Sequence, residues 1–179
     1  MSPEEQAKIV ELIVAGKVAI MPTDTIYGIV GQAVNPAVVE RIYQVKDRKH
    51  TKPFVVLVSD YSQLEPLGTH INSHQKDYLE TIWPGPVSVV IPTDSLEFLH
   101  RGTASLAVRM PKPSWLKQII DQTGPIVATS ANLADGQYVH DLSFISQKFQ
   151  GSVDYISKHK IPKSNPSRII NIVNKANLR

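Results

Sequence analysis

Three apolar runs in this 179-residue sequence end in side chains able to bind or polarise a small ligand. "IMPTDTIYGI" (20–29) runs into two threonines, an aspartate, a tyrosine and a glycine; "SLAVRMP" delivers Arg109; "IVATSAN" delivers Thr129, Ser130 and Asn132. Thr23 and Thr25 offer hydroxyls to a small polar ligand, Tyr27 offers a wall, and Gly28 lets backbone come close. Each run has a plainer reading as well: an Asx or ST turn closing a strand, an arginine ending in a salt bridge, a Ser-Ala-Asn helix cap. Three such strand ends in one small chain favour a binding site, because ligands of α/β sheets collect where strands deliver polar groups to loops.

A fourth stretch is basic: Arg41, Lys46, Arg48, Lys49 and Lys52 are accompanied by one acid, Asp47. Lys46 and Arg48 at the end of a helix suit its dipole without any ligand. Four cations between positions 46 and 52 nevertheless repel one another unless solvent or an anion separates them, and a triphosphate would be such an anion. From Tyr155 to Arg179 there is again no Asp or Glu among several cations, a bias that suits nucleotide or nucleic acid, or a solvated basic face.

Other chemistries are disfavoured. The chain has no cysteine, which removes thiolate catalysis, disulfides and cysteine-ligated zinc, and fits a reducing compartment. Walker, dinucleotide-binding, zinc-protease and serine-hydrolase signatures are missing. His70 and His74 are four apart, but the expected helix cap at Asn72 lies between them, so one helical face cannot present both to a metal; no metal site is expected. No basic n-region with an apolar h-region opens the chain, and no apolar run approaches a membrane span, so a cytoplasmic protein without membrane contact is expected.

The elements that must position these residues alternate. A helix starts at Ser2-Pro3-Glu5 and ends at Gly16; "VAIM" (18–21) reads as a buried strand; a polar loop follows, then a helix from Asn35 with Pro36 in its first turn. Further strands are expected at "FVVLVS", "VSVVI", "LAVRM", "IVAT", "VDYI" and "RIINIV", with helices near "SHQKDYLETIW", "SWLKQIIDQ" and residues 141–149. A hydrophobic share of 42% and the lack of a linker predict one α/β domain over 1–179, built on a twisted mixed sheet flanked by helices.

In order, "PTDTIYG", "KDRKHTKP", "WPGPVSVV", "SLAVRMP", "TSAN" and "NPSRIINI" resemble the motifs of the YrdC family over nearly the whole chain. The resemblance implies a twisted α/β sheet with a basic concave face. It also implies a reaction: L-threonine, bicarbonate and ATP, with Mg²⁺, give threonylcarbamoyl-adenylate and pyrophosphate, and downstream transfer proteins pass the threonylcarbamoyl group to tRNA. Motif by motif, Thr23, Thr25, Tyr27, Arg109, Ser167 and the backbone near Ala128 are implied around L-threonine, with Arg109 pairing its carboxylate. Lys46, Arg48, Lys52, Ser105, Ser130, Asn132, Tyr138 and Arg179 are implied around ATP, and Lys46, Arg48 and Arg109 would carry the charge stabilisation. The chain departs from many relatives at Leu57, Pro113 and Arg168. A module that grips tRNA or double-stranded RNA without nucleotidyl transfer is the alternative reading, and a YrdC-like domain acting on another carbamoyl acceptor is a third.

Overall fold

The computed structural model describes residues 1–134 and 136–178. Helix α1 (Pro3–Val14) starts as expected, with the Ser2 hydroxyl accepting from the Glu5 N–H at 3.3 Å. It leads into a hairpin of β1 (Ala19–Pro22) and β2 (Tyr27–Gln32), antiparallel, with Pro22 opposite Tyr27. The expected long loop here is therefore a four-residue turn, Thr23 to Ile26. Strand β2 escapes sequence reading because Gly28, Gly31 and Gln32 dilute its apolar run. Gly31 has a packing reason: a Cβ there would come within 2.4 Å of Val38 Cγ1, so helix α2 (Pro36–Lys46) lies against bare backbone.

The remaining elements are β3 (Val55–Leu57), a 3-10 segment (Tyr61–Leu67), α3 (Ser73–Glu80), β4 (Val87–Pro92), the single turn α4 (Glu97–His100), β5 (Ser105–Arg109), α5 (Ser114–Thr123), β6 (Ile126–Ser130), α6 (Leu142–Phe149), β7 (Tyr155–Ile156) and β8 (Arg168–Asn171). Asn72 and Gln75 form the reciprocal cap of α3, which keeps His70 outside the helix that carries His74. The 3-10 segment and α4 are too short to show a helical period and are not predicted from sequence. Among the described residues no helix is long and apolar enough to cross a membrane.

The strands form one sheet in the order β7-β1-β2-β6-β3-β5-β4-β8. It is mixed: β7/β1, β3/β5 and β4/β8 are parallel pairs and the others antiparallel. Alternation along the strands separates two faces. On one, Ile20, Tyr27, Ile29, Val56, Val108 and Val127 join a core completed by α2, α3, α4 and α6. On the other, Ala19, Met21, Val30, Leu57 and Ile126 pack beneath α1 and α5, whose Ile9, Ile13, Leu116, Ile119 and Ile120 are fully buried. Each such side chain contributes roughly 1.5–3 kcal/mol of transfer free energy, enough to hold these two helices over one part of this face. Farther along the same face, Val55, Ala107 and Ser130 are only half-buried, and there the sheet floors a cavity.

Candidate active site

The cavity has a volume of about 220 Å³. Its walls bring together the polar ends of separate elements: Thr23 and Thr25 from the hairpin turn, Arg109 from β5, Ser130 and Asn132 from the end of β6, Arg48 from beyond α2, Tyr138, and Ser167 from just before β8. Ala128, on β6 between β2 and β3, contributes to the floor.

The turn is built from its own threonines. The Thr23 N–H donates to Ile26 O (3.0 Å), and the Thr23 hydroxyl donates to the same oxygen (2.8 Å) while accepting from Thr25 N (3.2 Å) and Ile26 N (3.3 Å). This is an ST turn, so the plainer sequence reading and the binding-site reading describe one object. The two hydroxyls stand 3.1 Å apart, and either can donate to the other; Thr25 lines the cavity and offers its hydroxyl there as donor or acceptor. Ser164, in the irregular segment between β7 and β8, donates to Thr25 O and ties that segment to the turn.

Arg109 is 4% exposed, and its Nη2 donates to Asp24 Oδ1 at 2.8 Å. Asp24 stands at the middle of the turn with its side chain equally buried. Burial pushes the Asp24 carboxyl up from its ordinary value, partly opposed by the Arg109 charge. Asp24 is the residue that sequence reading passed over. The signal was present, since "PTDT" and "AVRM" bring opposite charges out of two apolar runs, but their pairing depends on strand order. Ser167, 4% exposed, shares a 3.0 Å hydroxyl contact with the buried Ser88 of β4.

The expected phosphate cations divide. Arg48 lines the cavity, with Nε donating to Lys52 O (3.2 Å), Nη2 to Pro53 O (3.3 Å) and the guanidinium 5.3 Å from the Phe54 ring centroid. Lys46 is 1% exposed and does not line it. Its Nζ donates to Ser130 O (2.7 Å), Asn132 O (2.7 Å) and Asn132 Oδ1 (3.3 Å), one acceptor for each ammonium proton. Burial, followed by the Arg48 charge, pushes the Lys46 ammonium down to about 8. The Asn132 side-chain amide in turn donates to Leu133 O (2.8 Å) and Gly136 O (2.6 Å), so the loop after β6 is clamped from both sides. Lys46 thus holds the loop, rather than opening on the cavity with a phosphate beside it as expected. Lys49 and Lys52 are exposed, outside the lining.

Tyr27 and Ser105 also differ from their expected places. Tyr27 lies on the helix-covered face, because strand alternation sends it opposite to Gly28, which lines the cavity. Its hydroxyl donates to His159 O (3.2 Å) and accepts from Ile161 N (3.3 Å). Ser105 shares a sheet face with Ala107 and Arg109 but stands outside the lining and donates to Thr103 O (3.3 Å). Tyr138 does line the cavity; its hydroxyl accepts from Tyr27 N at 3.0 Å, and burial raises its pKa. Arg179 lies outside the described residues. Leu57 is fully buried beneath α1 and α5, Pro113 is the N-cap of α5, and Arg168 is exposed at the start of β8.

The profile of the Sua5/YciO/YrdC family, described as telomere recombination, matches residues 11–179. The chain belongs to the Sua5/YciO/YrdC family. Its family relatives include proteins named threonylcarbamoyl-AMP synthase: one from Pyrococcus abyssi, 28% identical over 79% of this chain and 42% of the relative, and one from Bacillus subtilis, 34% identical over 72% and 38%. This chain therefore spans about two-fifths of those two relatives. A Yersinia pestis protein of the same name is 29% identical over 91% of this chain and 88% of its own length. Among solved Sua5/YciO/YrdC structures, a P. abyssi Sua5 variant superposes with a TM-score of 0.90 at 25% identity, over all of this chain and 57% of that one. P. abyssi Sua5 complexed with L-threonine superposes with 0.83 at 26% identity, covering 93% of this chain and 51% of the other.

Proposed function

We propose that this chain is an enzyme, a threonylcarbamoyl-AMP synthase of the nucleotidyltransferase class that forms L-threonylcarbamoyladenylate and pyrophosphate from L-threonine, bicarbonate and ATP. The observation that carries the reading is that the buried Arg109 and Thr25 line the same small cavity. An α-amino acid presents a carboxylate and an amine two bonds apart, and this pair of groups matches it in kind. The family relatives carry the same activity in their names, and a related structure holds L-threonine.

In this reading Arg109 pairs the threonine carboxylate, Thr25 accepts from the amine, Thr23 fixes the turn, and Ser167 and Ala128 bound the amino-acid end. Arg48, Ser130, Asn132 and Tyr138 face the nucleotide, Lys46 holds the loop that carries two of them, and Lys52 and Ser105 belong to the periphery of that end. The neutral amine adds to bicarbonate carbon with loss of water to give a carbamate. A carbamate oxygen then bonds to the α-phosphorus as the bond to the bridging oxygen breaks and pyrophosphate leaves. No side-chain nucleophile is required; positioning and charge stabilisation suffice.

No three histidine, aspartate or glutamate side chains among the described residues stand together as candidate metal ligands, and Mg²⁺, which binds largely through substrate phosphates and water, is read as arriving with ATP as part of that substrate. The product is read as passing to transfer proteins and then tRNA. The RNA-binding alternative gains no comparable support, since the relatives are named for the synthase. The test is pyrophosphate release by the purified chain with Mg²⁺ and ATP, omitting L-threonine and bicarbonate in turn. Release that needs both is the expected result; release that needs neither, or none at all from folded protein, rejects the reading.

A further inference from the structure

We propose that Asp24 is a positioning residue for Arg109: from the middle of the hairpin turn its carboxylate holds the guanidinium in the orientation that receives the carboxylate of the incoming amino acid. The inference rests on the reading of the cavity as an amino-acid site.

Arg109 and Asp24 come from distant parts of the chain and meet at 2.8 Å with side chains 5% and 4% exposed. A buried ion pair is a weak source of stability, because desolvating both charges offsets most of their attraction and apolar partners of similar volume often do as well. Its place beside a cavity that Arg109 lines points to function. An arginine carries four flexible side-chain torsions, and a planar fork is useful to a bound carboxylate only when its plane is held. Asp24 supplies that hold from a turn which is itself fixed by the Thr23 backbone and hydroxyl bonds to Ile26 and by Ser164 on Thr25 O.

The same four-residue turn therefore sets two things at once, the Thr25 hydroxyl and, through Asp24, the Arg109 donor fork. The distance between them is what an α-amino acid would be measured against. Asp24 itself does not line the cavity, so it acts through Arg109 and is no candidate for a base at the amine. Its second oxygen, Oδ2, is buried without a hydrogen-bond partner among the described residues, so the carboxylate contributes through Oδ1 alone. An amide oxygen at that position would keep this hydrogen bond but not the counter-charge.

The experiment uses the full chain and initial rates of pyrophosphate release, with L-threonine varied at saturating ATP and bicarbonate and ATP varied at saturating L-threonine. Asp24→Ala is expected to raise KM for L-threonine about tenfold to a hundredfold, the scale of a misplaced binding group, with KM for ATP unchanged. Asp24→Asn, which keeps an acceptor oxygen in place but removes the counter-charge, is expected to recover part of the loss; a purely structural role would lower the active fraction without a selective change in one KM. If Asp24→Ala does not fold, Asp24→Glu carries the test, since it retains the charge but shifts the carboxylate by one methylene and should show the same selective rise. An unchanged or lowered KM for L-threonine in Asp24→Ala or Asp24→Glu, or an equal change for ATP, overturns the proposal while leaving the activity of the parent chain in place. Absence of threonine-dependent release from the parent chain overturns the site reading and this inference with it.

Discussion

Arg109 and Lys46 are both almost wholly buried in the shell of one cavity, yet Arg109 meets the Asp24 carboxylate whereas Lys46 meets three neutral oxygens. The difference follows from the two cations. A guanidinium cannot shed its proton in a protein and so calls for a counter-charge, and its planar fork suits carboxylates. An ammonium has three donors and a pKa that burial can move, and here three carbonyl-type oxygens match those donors while the pKa falls to about 8. One cation stands at the cavity paired with a carboxylate; the other is committed to holding a loop. Proximity to a site in sequence motif is therefore a poor guide to what a buried cation does there.

The contrast breaks most visibly at Arg109. Arg109→Ala should cost about 2–5 kcal/mol of threonine-dependent transition-state stabilisation, the scale for losing a desolvated charged contact, and Arg109→Lys should restore little of it because a point charge cannot replace a fork. Both are read from kcat/KM for L-threonine, and near-parental values would show that the amino acid binds elsewhere.

Next in size is Lys46→Met, which leaves the carbonyl oxygens of Ser130 and Asn132 without their donor. A loss of about 1–3 kcal/mol in urea unfolding is expected, together with faster hydrogen exchange at the Ala134 amide, which donates to Lys46 O. If activity falls while exchange and stability do not, Lys46 acts on substrate directly and the contrast fails.

Arg48→Ala sharpens the picture from the nucleotide side. In the proposed reading Arg48 faces the nucleotide, so KM for ATP should rise about tenfold, roughly 1.4 kcal/mol, with KM for L-threonine unaffected. A reversed pattern would exchange the two ends of the cavity.

A further effect is in pH. In the unfolded chain Lys46 regains its ordinary pKa of 10.5, against about 8 when folded. Between those values the folded state binds fewer protons than the unfolded one, so the contribution of this group to stability rises with pH from about 8 toward 10.5. Unfolding free energies measured across that window should show an increment in the parent chain that Lys46→Met lacks. No such difference would mean that the three oxygens keep the ammonium charged despite its burial.

Much of the fold is legible in the chain. Ser2, Asn35 and Asn72 act as the caps they resemble, and Val38, Val39 and Ile42 turn inward as their spacing requires. Strand β2 is hidden because its glycines serve packing and cavity space rather than strand propensity, and with it goes the parity that places Tyr27 away from the site. The stretches around Thr25, Arg109 and Ser130 were recognisable because each joins an apolar run to a polar end, a pattern that depends on neighbours in sequence.

What the sequence by itself determined, then, is local: caps, turns, the ST turn of "PTDT", apolar periods, and the family to which their order belongs. Tertiary structure alone decided the partners of the buried charges. Asp24 reaches Arg109 across 85 positions and Lys46 reaches Ser130 across 84, and pairings at such separations are set by strand order and by which part of a sheet face the helices leave uncovered. The physical reason is that a desolvated charge takes whatever compensating group the packed fold delivers to it, and no spacing in the chain specifies that group.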